Sequence, residues 1–71
     1  MLTNYILIQL NGQPFNCFAN LYLKDLLIYL GFDLSSIIIE YNNEIIQSNV
    51  LGKIKVTSGD RVEVLTMVGG G

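Results

Sequence analysis

Leu23, Leu26, Leu27 and Leu30 recur at i, i+3, i+4 and i+7, with Lys24 and Asp25 on the opposite side. That spacing is one apolar face of an amphipathic helix. Such a face has to be covered. The other apolar runs are short, rich in β-branched and aromatic residues, and punctuated by turn dipeptides. One helix lying on one sheet is therefore the expected α+β architecture.

The turn signals divide the rest into strands. Tyr5–Leu10 is a β-rich run followed at once by Asn11-Gly12, a dipeptide whose residues both accept positive φ and favour a two-residue hairpin. Residues 14–18 then return. Pro14 cannot donate a ladder bond, which places this strand at a sheet edge or starts it there. Asn20 is the nearest good capping residue before the helix, and Gly31 stands where a left-handed cap is expected. Ile37–Tyr41 is a third strand, Asn42-Asn43 a tight turn, and residues 44–47 a brief return. Residues 53–56 are a short strand candidate. Thr57-Ser58-Gly59-Asp60 forms a turn, and residues 61–68 form the last strand. Alternation places Ile6, Ile8, Leu10, Val62 and Val64 on the core face, and leaves Leu7, Leu65 and Met67 on the outer face.

Composition narrows the function. A domain of 71 residues buries only roughly 60% of its unfolded surface, so its core must be dense. Here 51% of residues are hydrophobic, with no Trp, so Leu, Ile and Val must fill it. No ordinary catalytic cleft fits inside so small a core. The chain contains no His, and its single cysteine, Cys17, excludes an internal disulfide or a cysteine-built zinc site. Four basic residues do not cluster and the net charge is −2, which disfavours nucleic acid as a partner. Residues 1–23 carry no charge, but polar residues and Pro14 break the run, so neither a signal peptide nor a membrane segment is expected. No bound cofactor or metal is expected either.

The segments Leu10-Asn11-Gly12-Gln13, Leu26-Leu27 through Leu30-Gly31, Ile39-Glu40-Tyr41-Asn42 and Gly59-Asp60-Arg61-Val62-Glu63-Val64 resemble the sulfur carrier of thiamine biosynthesis, the ThiS family. The ending Val68-Gly69-Gly70-Gly71 is similar to that family's terminal diglycine. The resemblance spans nearly the whole chain. It implies a ubiquitin-like β-grasp, with a mixed four- to five-stranded sheet whose first and last strands lie adjacent and parallel at the centre. It divides the chain into a domain over residues 1–68 and a glycine tail over residues 69–71. The chain departs from the pattern at Tyr22, near the place of the usual Ser or Thr before the helix. It departs again at Asn43, where Gly is frequent. The small subunit of molybdopterin synthase shares the fold and the diglycine, but often carries prolines before the tail; here Thr66-Met67 precede Val68. A non-covalent ubiquitin-like binding module is a further alternative.

The family's chemistry runs through the last glycine. A terminal carboxylate has a reference pKa of about 3.3–3.7 and is a poor electrophile once ionised. A ThiF-like adenylating enzyme, using ATP, activates it as an acyl-adenylate. Sulfur, from a donor such as a cysteine desulfurase system, displaces AMP, and the resulting thiocarboxylate serves thiazole synthase. Gly71 would be the covalent carrier. Gly69 and Gly70 would give access, since glycine threads a narrow channel and residues 68–71 reach about 13–14 Å when extended. The chain itself would then be a protein co-substrate and not an enzyme. Leu7, Leu65 and Met67 are expected to form one docking patch near the tail. Cys17 is read as a packed apolar residue rather than a persulfide carrier. Glu40 and Glu44 are read as a solvated hairpin end, and Gly59-Asp60 as a turn without chemistry. The bias toward Ile and Asn suits an AT-rich genome, which points to a plastid stroma or a bacterial cytoplasm.

Overall fold

The computed structural model describes residues 4–67. Five strands, β1 (Tyr5–Leu10), β2 (Gln13–Phe18), β3 (Ile37–Tyr41), β4 (Glu44–Ile46) and β5 (Arg61–Thr66), form one sheet in the order β2-β1-β5-β3-β4. One α-helix among the described residues, α1 (Leu23–Tyr29), covers one face. β1 and β5 are parallel neighbours at the centre, and every other pairing is antiparallel. This is the β-grasp.

Local chemistry explains the turns. Asn11 and Gly12 have φ of 51° and 78°, and Asn42 and Asn43 have φ of 49° and 73°, so both hairpins turn through left-handed residues. Pro14 sits on the edge strand β2, opposite Gln9. The helix ends in a Schellman cap. Gly31 has φ of 88°, its N–H bonds to the Ile28 carbonyl, and the Phe32 N–H bonds to the Leu27 carbonyl.

The core contains Ile8, Val62 and Val64 from the sheet and Leu23, Leu26 and Leu27 from the helix, with Ile6 and Leu10 partly buried beside them. Leu7, Leu65 and Met67 are exposed. The assignment of strand faces therefore holds.

Two local expectations fail together. Asn20 does not cap the helix; it takes a left-handed φ of 68°, and the N-cap position is Tyr22, which makes no side-chain capping bond. Residues 53–56 are not a strand. Ser48–Lys53 is a 3-10 helix, and Lys55 only bridges to Tyr22. The reason is shared. The Leu23 N–H is satisfied by the Ile54 carbonyl at 2.7 Å, and the Val56 N–H by the Leu21 carbonyl at 2.9 Å. Backbone from a distant segment does what a Ser or Thr side chain commonly does at a helix start. The strand expected over residues 61–68 is assigned to Thr66, and Val68 lies outside the described residues.

Candidate functional site at the end of strand β5

The glycines Gly69, Gly70 and Gly71 lie outside the described residues. The structure instead defines what leads into them.

β5 is anchored at its start by Asp60, a carboxylate only 7% exposed. Asp60 accepts hydrogen bonds from the Tyr41 hydroxyl, from Asn42 Nδ2 at 3.2 Å, and from the N–H and hydroxyl of Thr57 at 2.8 and 3.1 Å. Burial opposes its charge, but these donors outweigh burial and hold the carboxyl below its ordinary pKa. Burial and the bonded carboxylate together push Tyr41 up to about 12. The Asn42 side-chain oxygen also accepts from the Arg61 N–H at 2.8 Å. These contacts fix the first residue of β5 against the β3–β4 hairpin.

Farther along, β5 outruns its central partner. The N–H groups of Gln9 and Asn11 bond to the Asp60 and Val62 carbonyls at 2.9 and 2.8 Å. The next rung of a regular parallel ladder would join the Val64 N–H to the Asn11 carbonyl. Asn11 has already turned into the hairpin, and its side-chain Oδ1 takes that place at 2.7 Å. Beyond Val64 the strand is held by β3, with Leu65 opposite Ile38 and the Met67 N–H bonded to the Ser36 carbonyl at 2.7 Å.

This register corrects the expected docking patch. Gln9 pairs with Arg61, and the Gly59 N–H bonds to the Leu7 carbonyl. Leu7 thus lies level with Gly59, six residues before Leu65, or about 20 Å along the strand. Leu65 (57% exposed), Met67 (48%) and Ile38 share the end of the sheet from which the chain continues. Leu7 belongs to the opposite end, where the Tyr5 and Phe18 rings stack at 5.0 Å. Adjacency of β1 and β5 was legible in the resemblance, but their stagger was not.

Cys17 is 5% exposed, and burial raises its thiol pKa. It is a core residue, as expected. Glu40 lies opposite Ile45 and Glu63, whereas Glu44 lies opposite Tyr41, so the register does not pair the two carboxylates. Among the described residues there is no group of three or more side chains able to hold a metal. No helix among them is long and apolar enough to cross a membrane. The roles of Asp60 and Asn11 were missed because both look like ordinary turn residues. Their one signal is an Asx side chain beside the start of a strand.

A parallel central pair, a covering helix, and a last strand running past the hairpin turn define a small ubiquitin-like β-grasp domain. The chain belongs to the ThiS family, whose model matches residues 8–71. Its fold superposes on the thiamine biosynthesis protein ThiS of Geobacter metallireducens with a TM-score of 0.81 and 28% identity, covering 93% of this chain and all of that one. It is 41% identical to the ycf40 protein of Porphyra purpurea over 71 residues, the full length of both. It is also 34% identical over 64 residues to a thiazole synthase of Magnetococcus marinus, covering 90% of this chain and 20% of that protein.

Proposed function

We propose that this chain carries sulfur to thiazole synthase as a thiocarboxylate on Gly71. The carboxylate of Gly71 attacks the α-phosphorus of ATP on a ThiF-like adenylating enzyme, releasing pyrophosphate. The outer sulfur of a persulfide, charged by a cysteine desulfurase system, then attacks the acyl carbon and displaces AMP. A thiol reductant cleaves the resulting acyl disulfide, which frees the thiocarboxylate and leaves a disulfide on the donor side. The observation that carries this reading is the end of β5. The strand is locked to its neighbours up to Met67, and four residues ending in three glycines follow. A rigid body with a side-chain-free end suits delivery of one carboxylate into another protein's active site.

Two thiazole synthases, from Magnetococcus marinus and Paramagnetospirillum magneticum, each contain a stretch similar to this chain that makes up 20% and 19% of their length. A carrier-like segment within thiazole synthase chains supports that enzyme as the acceptor. Leu65 and Met67 are the proposed docking side chains, with Ile38 beside them. The bias of the composition toward an AT-rich genome supports a plastid stroma or a bacterial cytoplasm as the compartment.

The test is intact mass after incubation with ATP, the adenylating enzyme and a sulfur source. The native chain is expected to exchange one oxygen for sulfur. A variant with one residue added after Gly71 is expected to stay folded and unchanged in mass. Sulfur loading of that blocked variant would refute the carrier reading.

A further inference from the structure

A cavity of about 370 Å³ opens between the edge strand β2 and helix α1. This is the small end of the range of roughly 300–1,000 Å³ typical of binding pockets. Phe15, Cys17, Leu21 and Leu26 make its apolar lining, with Tyr29 and Asp25 contributed by the exposed side of the helix. Tyr5 and Phe18, at the end of the β1–β2 pair, border it. None of these residues belongs to the β5 end described above, so this site stands apart from the carrier reading.

The strand beside the cavity is open for pairing. β2 has β1 on one side and no strand on the other among the described residues. The Ala19 N–H bonds to the Asn4 carbonyl. Counting from that pair, alternation directs the backbone groups of residues 17, 15 and 13 toward β1. The N–H and C=O groups of Asn16 and Phe18 then point to the open edge. Pro14 falls in the same outward register, where its missing N–H leaves the ladder with β1 intact. Phe15 and Cys17 point toward the helix layer, while Asn16 and Phe18 are exposed.

We propose that the β2–α1 groove is a docking site for an extended segment of a partner protein, which pairs with β2 as a sixth strand, seats an apolar side chain in the cavity and sets a basic residue against Asp25. Backbone pairing would supply affinity, and the pocket the choice of alternate side chains. Charge selects the basic residue. Asp25 is the one ionisable carboxylate in the lining among the described residues, and the chain carries a net charge of −2. Neighbouring Lys24 does not offset it, because its stem lies beside Gly52 on the other flank of the helix.

The test uses a blocked octapeptide, Lys-Thr-Val-Thr-Val-Thr-Val-Lys, titrated into the isotopically labelled protein. The expected result is slowed amide exchange at Asn16 and Phe18, with shifts at Phe15, Cys17 and Leu26. Asn16→Pro, at an outward-facing position, should abolish binding while β1–β2 pairing persists. Asp25→Lys should weaken binding about fivefold and let the same peptide with Glu ends bind instead. The proposal is overturned if the peptide does not bind at millimolar concentration, or if shifts fall on the Leu65 and Met67 face. It is equally overturned if Asp25→Lys leaves the preference for Lys ends unchanged, or if the labelled residues shift with protein concentration alone, which marks self-association.

Discussion

Asn11 Oδ1 accepts the Val64 N–H at 2.7 Å, so a side-chain amide stands in for a backbone carbonyl in the parallel ladder between β1 and β5. The two residues are 53 positions apart, and the bond ties the hairpin turn to the strand that leads out of the domain. Only a residue with both a left-handed backbone and a short acceptor can do this, which is why Asn serves where Gly or Ala would not.

Asn11→Gly keeps the turn and loses the bond. It should destabilise the fold by about 1 kcal/mol. Asn11→Ala adds strain at φ of 51° and should cost about 2 kcal/mol. Urea denaturation measures both, and amide exchange at Val64 should accelerate in each. A glycine variant as stable as the parent would show that water replaces the bond at no cost.

Asp60 makes stability depend on pH at the acid end. Its folded pKa lies below the ordinary value of 3.8, so its contribution is present above that value and is lost as pH falls through the folded pKa. Tyr41 acts at the other end. Its folded pKa is raised to about 12, so its contribution is full below its ordinary value of 10 and is lost as pH rises through 12. Asp60→Asn should cost about 2–3 kcal/mol near neutrality, because the Thr57 N–H then faces an imperfect acceptor. It should also flatten both limbs of a stability-versus-pH curve measured by thermal melts. An unchanged acid limb would mean that another carboxylate governs it.

Leu65→Asp and Met67→Asp should keep the fold and weaken binding to the adenylating enzyme and to thiazole synthase. Interface anchors commonly lose 2 kcal/mol or more on removal, about thirtyfold in affinity. Leu7→Asp, about 20 Å away along the sheet, should leave both affinities unchanged. Val64→Asp puts a charge into the core and should unfold the domain. Binding and far-UV circular dichroism on the four variants separate these outcomes. A loss of affinity in Leu7→Asp would place the interface across the whole outer face.

What the sequence showed was what local chemistry controls. Asn11-Gly12, Asn42-Asn43, Gly31 and Pro14 each dictate backbone geometry within a few residues, and each turned out where the residues pointed. Alternation in β1 and β5 sorted core from outer face for the same reason. The central parallel pair came from family resemblance, because nothing local says which strand neighbours which. Register was beyond reach even then: adjacency of β1 and β5 suggested that Leu7 and Leu65 meet, and a six-residue stagger separates them. The strand expected over residues 53–56 does not form because the backbone there answers to the start of α1, more than thirty residues earlier.

That dependence has a consequence for how the chain acquires its structure. A seven-residue helix is too short to persist alone in water, and this one begins without a side-chain cap. Its first turn is completed by Ile54, 31 positions later. Closing that loop must precede or accompany helix formation. On a ribosome, α1 would therefore stay unformed until Ile54 has emerged, and substitutions along its exposed side, such as Ile28→Ala, should change the unfolding rate far more than the folding rate. Stopped-flow kinetics on that variant would reveal a helix that forms early if the folding rate falls instead.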